Sequence, residues 1–136
     1  MVVNFSNIIR FLNIHFPWLL FVVLITIQSH IGNNNLDSTF LYADKITHLI
    51  VYGTLAWLLA RGIFKGRNTF LQRNYFWIVL IILGFFGIID EIHQYFIPGR
   101  YFDLKDWMAD MSGGIFFLII FRFRNKTTLE DLKGSH

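Results

Sequence analysis

Four apolar segments, roughly 9–31, 45–63, 75–97 and 106–123, dominate the chain. Each approaches the ~20 residues of a membrane-crossing helix only when the polar side chains inside it are counted. The longest uninterrupted apolar run, 75–89, has 15 residues, a length that a buried soluble helix also reaches. Either the segments do not cross a membrane, or their polar residues face other protein. Composition decides for the second. Of 136 residues, 54% are hydrophobic and 15% charged, where a soluble domain carries about 25% charged. The expectation is an all-α, polytopic membrane protein: one domain over 1–136, built as a four-helix transmembrane bundle. A short amino-terminal interfacial helix over 4–15 is expected to enter the first span at Pro17, because proline suits a first helical turn.

The absence of cysteine removes disulfides, thiolate metal sites and cysteine nucleophiles. A sequence pI of about 9.4 raises nucleic-acid binding as an option. The basic residues alternate with apolar segments instead of forming one stripe, so no nucleic-acid partner is expected. They sort by side instead. Arg10, Arg61, Lys65, Arg67, Arg73, Arg122, Arg124, Lys126 and Lys133, nine of the 12 basic residues, fall at one end of the expected bundle. Lys45, Arg100 and Lys105 fall at the other, with Asp37, Asp44, Asp90, Glu91, Asp103, Asp106 and Asp110. The positive-inside rule then puts both termini and the 61–73 loop in the cytoplasm of a multi-pass protein. Trp77 and Trp107 are expected at opposite membrane interfaces.

That topology gathers polar residues from distant parts of the chain at the outer end. Asp44, His48 and Tyr52 are spaced four apart and share one helix face. Gly84, Gly87, Glu91 and Gln94 follow a 3-4-3 pattern that joins a smooth packing strip to a polar tip. Asp106, Asp110 and Gly113 line up on the last segment. Charge in hydrocarbon costs roughly 2.5–3.5 kcal/mol at helix centre, so these acids must share protons, pair with Lys45, Arg100 or Lys105, or line a wet cavity. His15, His30 and His93 lie off these faces and are expected to be structural or interfacial.

Three blocks carry a resemblance. They are Asp44-Lys45-Ile46-Thr47-His48, Asp90-Glu91-Ile92-His93-Gln94 running into Pro98-Gly99-Arg100, and Asp103-Leu104-Lys105-Asp106 leading to Asp110 and Gly113. In order and spacing the chain resembles the VanZ-like family of small bacterial membrane proteins, named for a teicoplanin-resistance protein. Asp110 departs from the asparagine expected in many members. The resemblance implies a four-helix membrane bundle in the bacterial cytoplasmic membrane and work on the cell envelope. That work is either lipoglycopeptide resistance or lipid head-group chemistry.

The expected activity is modification of a phosphate-containing lipid or lipid-linked cell-wall intermediate at the outer face. His48 is expected as base or nucleophile, oriented by Asp44, because imidazole titrates near neutral pH. Asp90 or Glu91 would supply a proton, and Arg100 would hold phosphate through its planar fork. Gln94 would orient the head group, with Lys45, Tyr52, Asp103, Asp106 and Asp110 completing the substrate site. No spacing identifies a metal and no cofactor is expected, although the carboxylates offer oxygen donors of the kind that bind divalent cations. Two competitors use the same residues: a lipid- or antibiotic-binding protein without chemistry, and a proton- or ion-coupled transporter. The clustering of polar residues at one end argues against the transporter.

Overall fold

Apolar runs with scattered polar residues close into helices because hydrocarbon offers the backbone no other hydrogen-bond partner. A computed structural model describes residues 5–30, 41–126 and 130, with only the backbone described over 41–43. The described residues form α1 (Phe5–His30), α2 (Leu41–Lys65), the single-turn α3 (Thr69–Arg73), α4 (Tyr75–Tyr95) and α5 (Leu104–Arg124). Three of these, over Phe5–His30, Asp44–Lys65 and Tyr75–Tyr95, are long and apolar enough to cross a membrane. α5 matches α4 in length, 21 residues each, but carries Lys105, Asp106, Asp110, Arg122 and Arg124. Hydropathy therefore identifies three spanning helices where the sequence reading expects four.

The amino-terminal expectation needs correction. Among the described residues no separate interfacial helix precedes Pro17: α1 runs unbroken through it. Proline lacks the N–H that would bond the carbonyl four residues back, which leaves the Asn13 carbonyl free. α2 supplies the missing donor, because Arg61 Nη1 reaches Asn13 O at 3.2 Å. The Asn13 side chain joins the same contact, its Oδ1 accepting from Arg61 Nη2 at 2.9 Å and Lys65 Nζ at 3.1 Å. The proline is thus accommodated by a cation from the neighbouring helix.

α2 and α5 run side by side in the same direction, His48 meeting Asp110 and Trp57 meeting Phe121, while α4 runs antiparallel to them, Tyr52 meeting Asp90 and Phe64 meeting Tyr75. Two adjacent glycines set this geometry. A Cβ on Gly113 would collide with the backbone carbonyl of Leu49, and one on Gly114 would sit 2.6 Å from Leu83 Cδ1. Gly113 therefore lets α2 approach, and Gly114 does the same for α4. Around them Tyr52, Leu55, Ala56, Leu59, Val79, Leu83 and Leu118 form the buried core. Phe64, Tyr75, Phe121 and Trp57 close its basic end with edge-on ring contacts, and Arg124 lies over the Trp57 ring at 5.4 Å. On the outside, Trp77, Ile81 and Phe85 recur every four residues along α4 and are each about two-thirds exposed or more (67%, 71% and 69%). A soluble monomer rarely leaves such a stripe open; in a membrane it faces lipid.

Candidate functional site

The antiparallel order brings the starts of α2 and α5 to the end of α4, and their polar residues meet there. α5 begins at Asp103, whose carboxylate caps the helix by accepting from Lys105 N at 2.9 Å. Its own backbone N–H donates to Glu91 Oε2 at 2.9 Å, so the last turns of α4 fix where α5 starts. Lys45 reaches across from α2 to Asp103 at 2.9 Å and also pairs with Asp106. This hydrogen bond and charge hold Asp103 below the usual carboxylate pKa range.

Deeper in, His48 Nδ1 lies 2.9 Å from Asp110 Oδ1. Asp110 is 1% exposed, and the geometry has the imidazole donating its Nδ1–H to the carboxylate. Tyr52, one turn below and stacked on the His48 ring, donates its hydroxyl to Asp90 Oδ2 at 3.3 Å. Gln94 Nε2 donates to the same oxygen at 3.1 Å. Gly87 makes room for this: a Cβ there would stand 3.2 Å from Asp110 Oδ2 and 3.1 Å from Trp107 Cδ1. The Trp107 indole turns inward and donates to Gly84 O at 3.1 Å. It therefore bonds between α4 and α5 in addition to any interfacial role, while Trp77 stays exposed.

Six carboxylates (Asp44, Asp90, Glu91, Asp103, Asp106 and Asp110) thus surround one lysine and one imidazole. Two buried carboxylate oxygens, Glu91 Oε1 and Asp110 Oδ2, have no partner. Asp44, His48 and Asp106 each offer one ligand atom, all within 4.8 Å of one another. The set can position and transfer a proton through His48 and hold a cation among its oxygens.

The sequence expectations divide. The structure gathers Asp44, Lys45, His48, Tyr52, Asp90, Glu91, Gln94, Asp103, Asp106 and Asp110. Arg100 does not join them: its Nη1 donates to Ser29 O at the end of α1, 2.8 Å away. The partner of His48 also differs from expectation, since its Nδ1 bonds Asp110 and not Asp44. Helix periodicity shows Asp44 one turn from His48 but cannot show what a second helix brings. Ser29 escaped the sequence reading because its contribution is a backbone carbonyl, which no side chain signals. His93 stacks on His30 at 5.7 Å, off the carboxylates. Asp37 lies outside the described residues.

A family model described as VanZ/LLP1 matches residues 2–125. No curated protein and no solved structure matches the chain.

Proposed function

The chain belongs to the VanZ/LLP1 family, and from that premise we propose that it modifies the head group of a phosphate-containing lipid at the outer face of the bacterial cytoplasmic membrane. In this reading α5 is the fourth span, and both termini are cytoplasmic. The charge asymmetry supports it: Arg10, Arg61 and Lys65 cluster at one end of the bundle, and the six carboxylates gather at the other. α5 enters hydrocarbon because its acids face α2 and α4, where Lys45 and His48 meet them.

The observation that carries the reading is the buried His48–Asp110 pair beside Lys45. Asp110 fixes the imidazole with Nδ1 protonated, which leaves Nε2 as the face at which a nucleophile is activated. Water, or the hydroxyl of an acceptor lipid, loses its proton there as its oxygen bonds to phosphorus. The phosphorus–oxygen bond to the leaving group breaks, and the carboxyl of Glu91 protonates the departing oxygen. Lys45, at the mouth, meets the phosphate charge. Arg100, held apart from the carboxylates by Ser29 O of α1, keeps further N–H groups with which to meet the phosphate as the head group enters. Lipid tails remain between the exposed helix faces.

A transport path is disfavoured by what lies below Tyr52 and Asp90. There the core is apolar and buried through Leu55, Ala56, Leu59, Val79, Leu83 and Leu118. The test is purified protein in nanodiscs with labelled lipid-linked phosphate substrates. Turnover is expected in the native chain and lost in His48→Ala and Arg100→Ala that remain folded. Lipid recovered unchanged from the native chain would replace the enzymatic reading with a binding one.

A further inference from the structure

The pocket has more negative charge than its own cations balance, and its geometry indicates what supplies the rest. Asp44 and His48 sit one turn apart on α2, and Asp106 reaches them from α5. One atom from each lies within 4.8 Å of the others, as ligands of a single ion must. His48 is prepared for this role. Its Nδ1 is engaged by Asp110 at 2.9 Å, so Nε2 is the nitrogen left to coordinate. A carboxylate holding the far nitrogen of an imidazole is the usual support of a metal-bound histidine, fixing its tautomer and raising its basicity.

A second observation is independent of these three residues. Glu91 is 1% exposed, yet its Oε1 has no hydrogen-bond partner, and its Oε2 accepts from Asp103 N at 2.9 Å, at the same end of α5 that carries Asp106. A buried carboxylate oxygen without a donor is costly, and native structures rarely leave one unexplained. A cation held beside it supplies the missing positive partner. Lys45 does not fill that need, because its ammonium pairs with Asp103 and Asp106 at the mouth.

We propose that Asp44, His48 and Asp106 bind a divalent first-row transition cation, with Glu91 and Asp110 as its supporting carboxylates. Two carboxylates and one imidazole suit Mn2+ or Zn2+, and three protein ligands leave coordination positions open to a further oxygen ligand. The inference deepens the lipid-phosphate reading, since a phosphate entering among six carboxylates needs more positive charge than Lys45 and Arg100 carry. In the loaded protein His48 would be a ligand in place of the base, and Glu91 would stay ionised as a supporting carboxylate in place of the acid. The cation would supply the charge that activates a water, which in turn gives the departing oxygen its proton. Binding itself is independent of that reading.

The experiment is Mn2+ titration of the metal-stripped full chain in nanodiscs. It is followed by the loss of the free-ion electron paramagnetic resonance signal, with Zn2+ as competitor. One ion per chain is expected. Asp44→Asn, His48→Gln and Asp106→Asn should each weaken binding at least about tenfold. Glu130→Gln, an exposed carboxylate beyond α5 that pairs with Lys126, should leave it within about twofold. Lys45→Met removes the competing ammonium and should tighten binding by about tenfold or more. Asp44 is partly exposed, so Asp44→Asn remains informative if Asp106→Asn fails to fold. Absence of bound Mn2+ or Zn2+, or equal weakening by Glu130→Gln and the three ligand variants, overturns the site. Binding without lipid turnover keeps the cation site and removes the lipid chemistry; turnover without binding does the reverse.

Discussion

His48 on α2 and Asp110 on α5 are joined by a 2.9 Å contact between Nδ1 and Oδ1, across helices whose sequences lie 62 residues apart. One side chain of the pair is 11% exposed and the other 1%. The bond selects which imidazole nitrogen faces the pocket. Asp110→Ala removes the acceptor that selects Nδ1–H, so the two neutral tautomers should mix. Nitrogen-15 spectra of imidazole-labelled protein at alkaline pH, where the ring is neutral, should show one tautomer in the native chain and both in the variant. Activity or metal affinity should fall about 10–100-fold, as for other partners that orient a functional histidine. An unchanged spectrum would mean that Asp110 does not set the ring.

The close approach of α2 and α5 makes a prediction for the glycine at their crossing. A methyl group on Gly113 meets the Leu49 backbone, which cannot swing away as a side chain can. Gly113→Ala should lower thermal stability in detergent by about 3 kcal/mol, at the upper end of overpacking costs. Gly84→Ala is the control, because its new methyl would meet the flexible end of Met111 at ordinary contact distance, Sδ at 3.6 Å and Cε at 3.9 Å. That variant should stay within about 0.5 kcal/mol of the native chain. Helix propensity favours alanine in both variants, so equal losses in both would show that the Leu49 crossing does not govern the result.

The contrast between these two relationships explains how much the sequence discloses. Spacing places Asp44, His48 and Tyr52 on one face of α2, and Glu91 with Gln94 on one face of α4, because helical periodicity is a local property. Charge sorting brings those faces to a common end. Periodicity leaves open how each helix is turned against the next. The partner of His48 therefore becomes visible only in three dimensions, as do the turn of Arg100 toward Ser29 and the inward indole of Trp107. The sequence also misplaces the start of α1. A proline at position 17 reads as a first-turn residue, and the compensating donor, Arg61, comes from another helix.

That compensation is measurable as a coupling. In the native chain Arg61→Ala leaves the Asn13 carbonyl without its donor and should cost about 1 kcal/mol. Pro17→Ala restores an N–H inside α1 that bonds the same carbonyl. In that background the cost of Arg61→Ala should shrink by about 0.5 kcal/mol or more. The residual comes from the contact of Arg61 Nη2 with Asn13 Oδ1. A double-mutant cycle on thermal unfolding reads the difference. Strict additivity would show that the arginine does not act on the proline's vacant acceptor.

The mouth of the pocket gives a pH dependence whose sign follows from Asp103. Lys45, through its hydrogen bond and charge, lowers the carboxyl pKa of Asp103 in the folded protein. A depressed folded-state pKa means that the unfolded chain binds protons more readily. The stabilisation is therefore fully present above the ordinary carboxylate range and disappears as pH falls through the lower folded value. Asp103→Asn isolates this contribution, because asparagine caps a helix about as well as aspartate while losing the charge. The side chain is 41% exposed, so solvent and salt screen the pair, and the loss at neutral pH should be no more than about 1 kcal/mol. The native chain and Asp103→Asn should differ in unfolding temperature at pH 7 and converge under acid. Added salt should narrow the neutral-pH gap. A gap that persists below the folded-state titration of Asp103 would assign its role to shape and capping instead of charge.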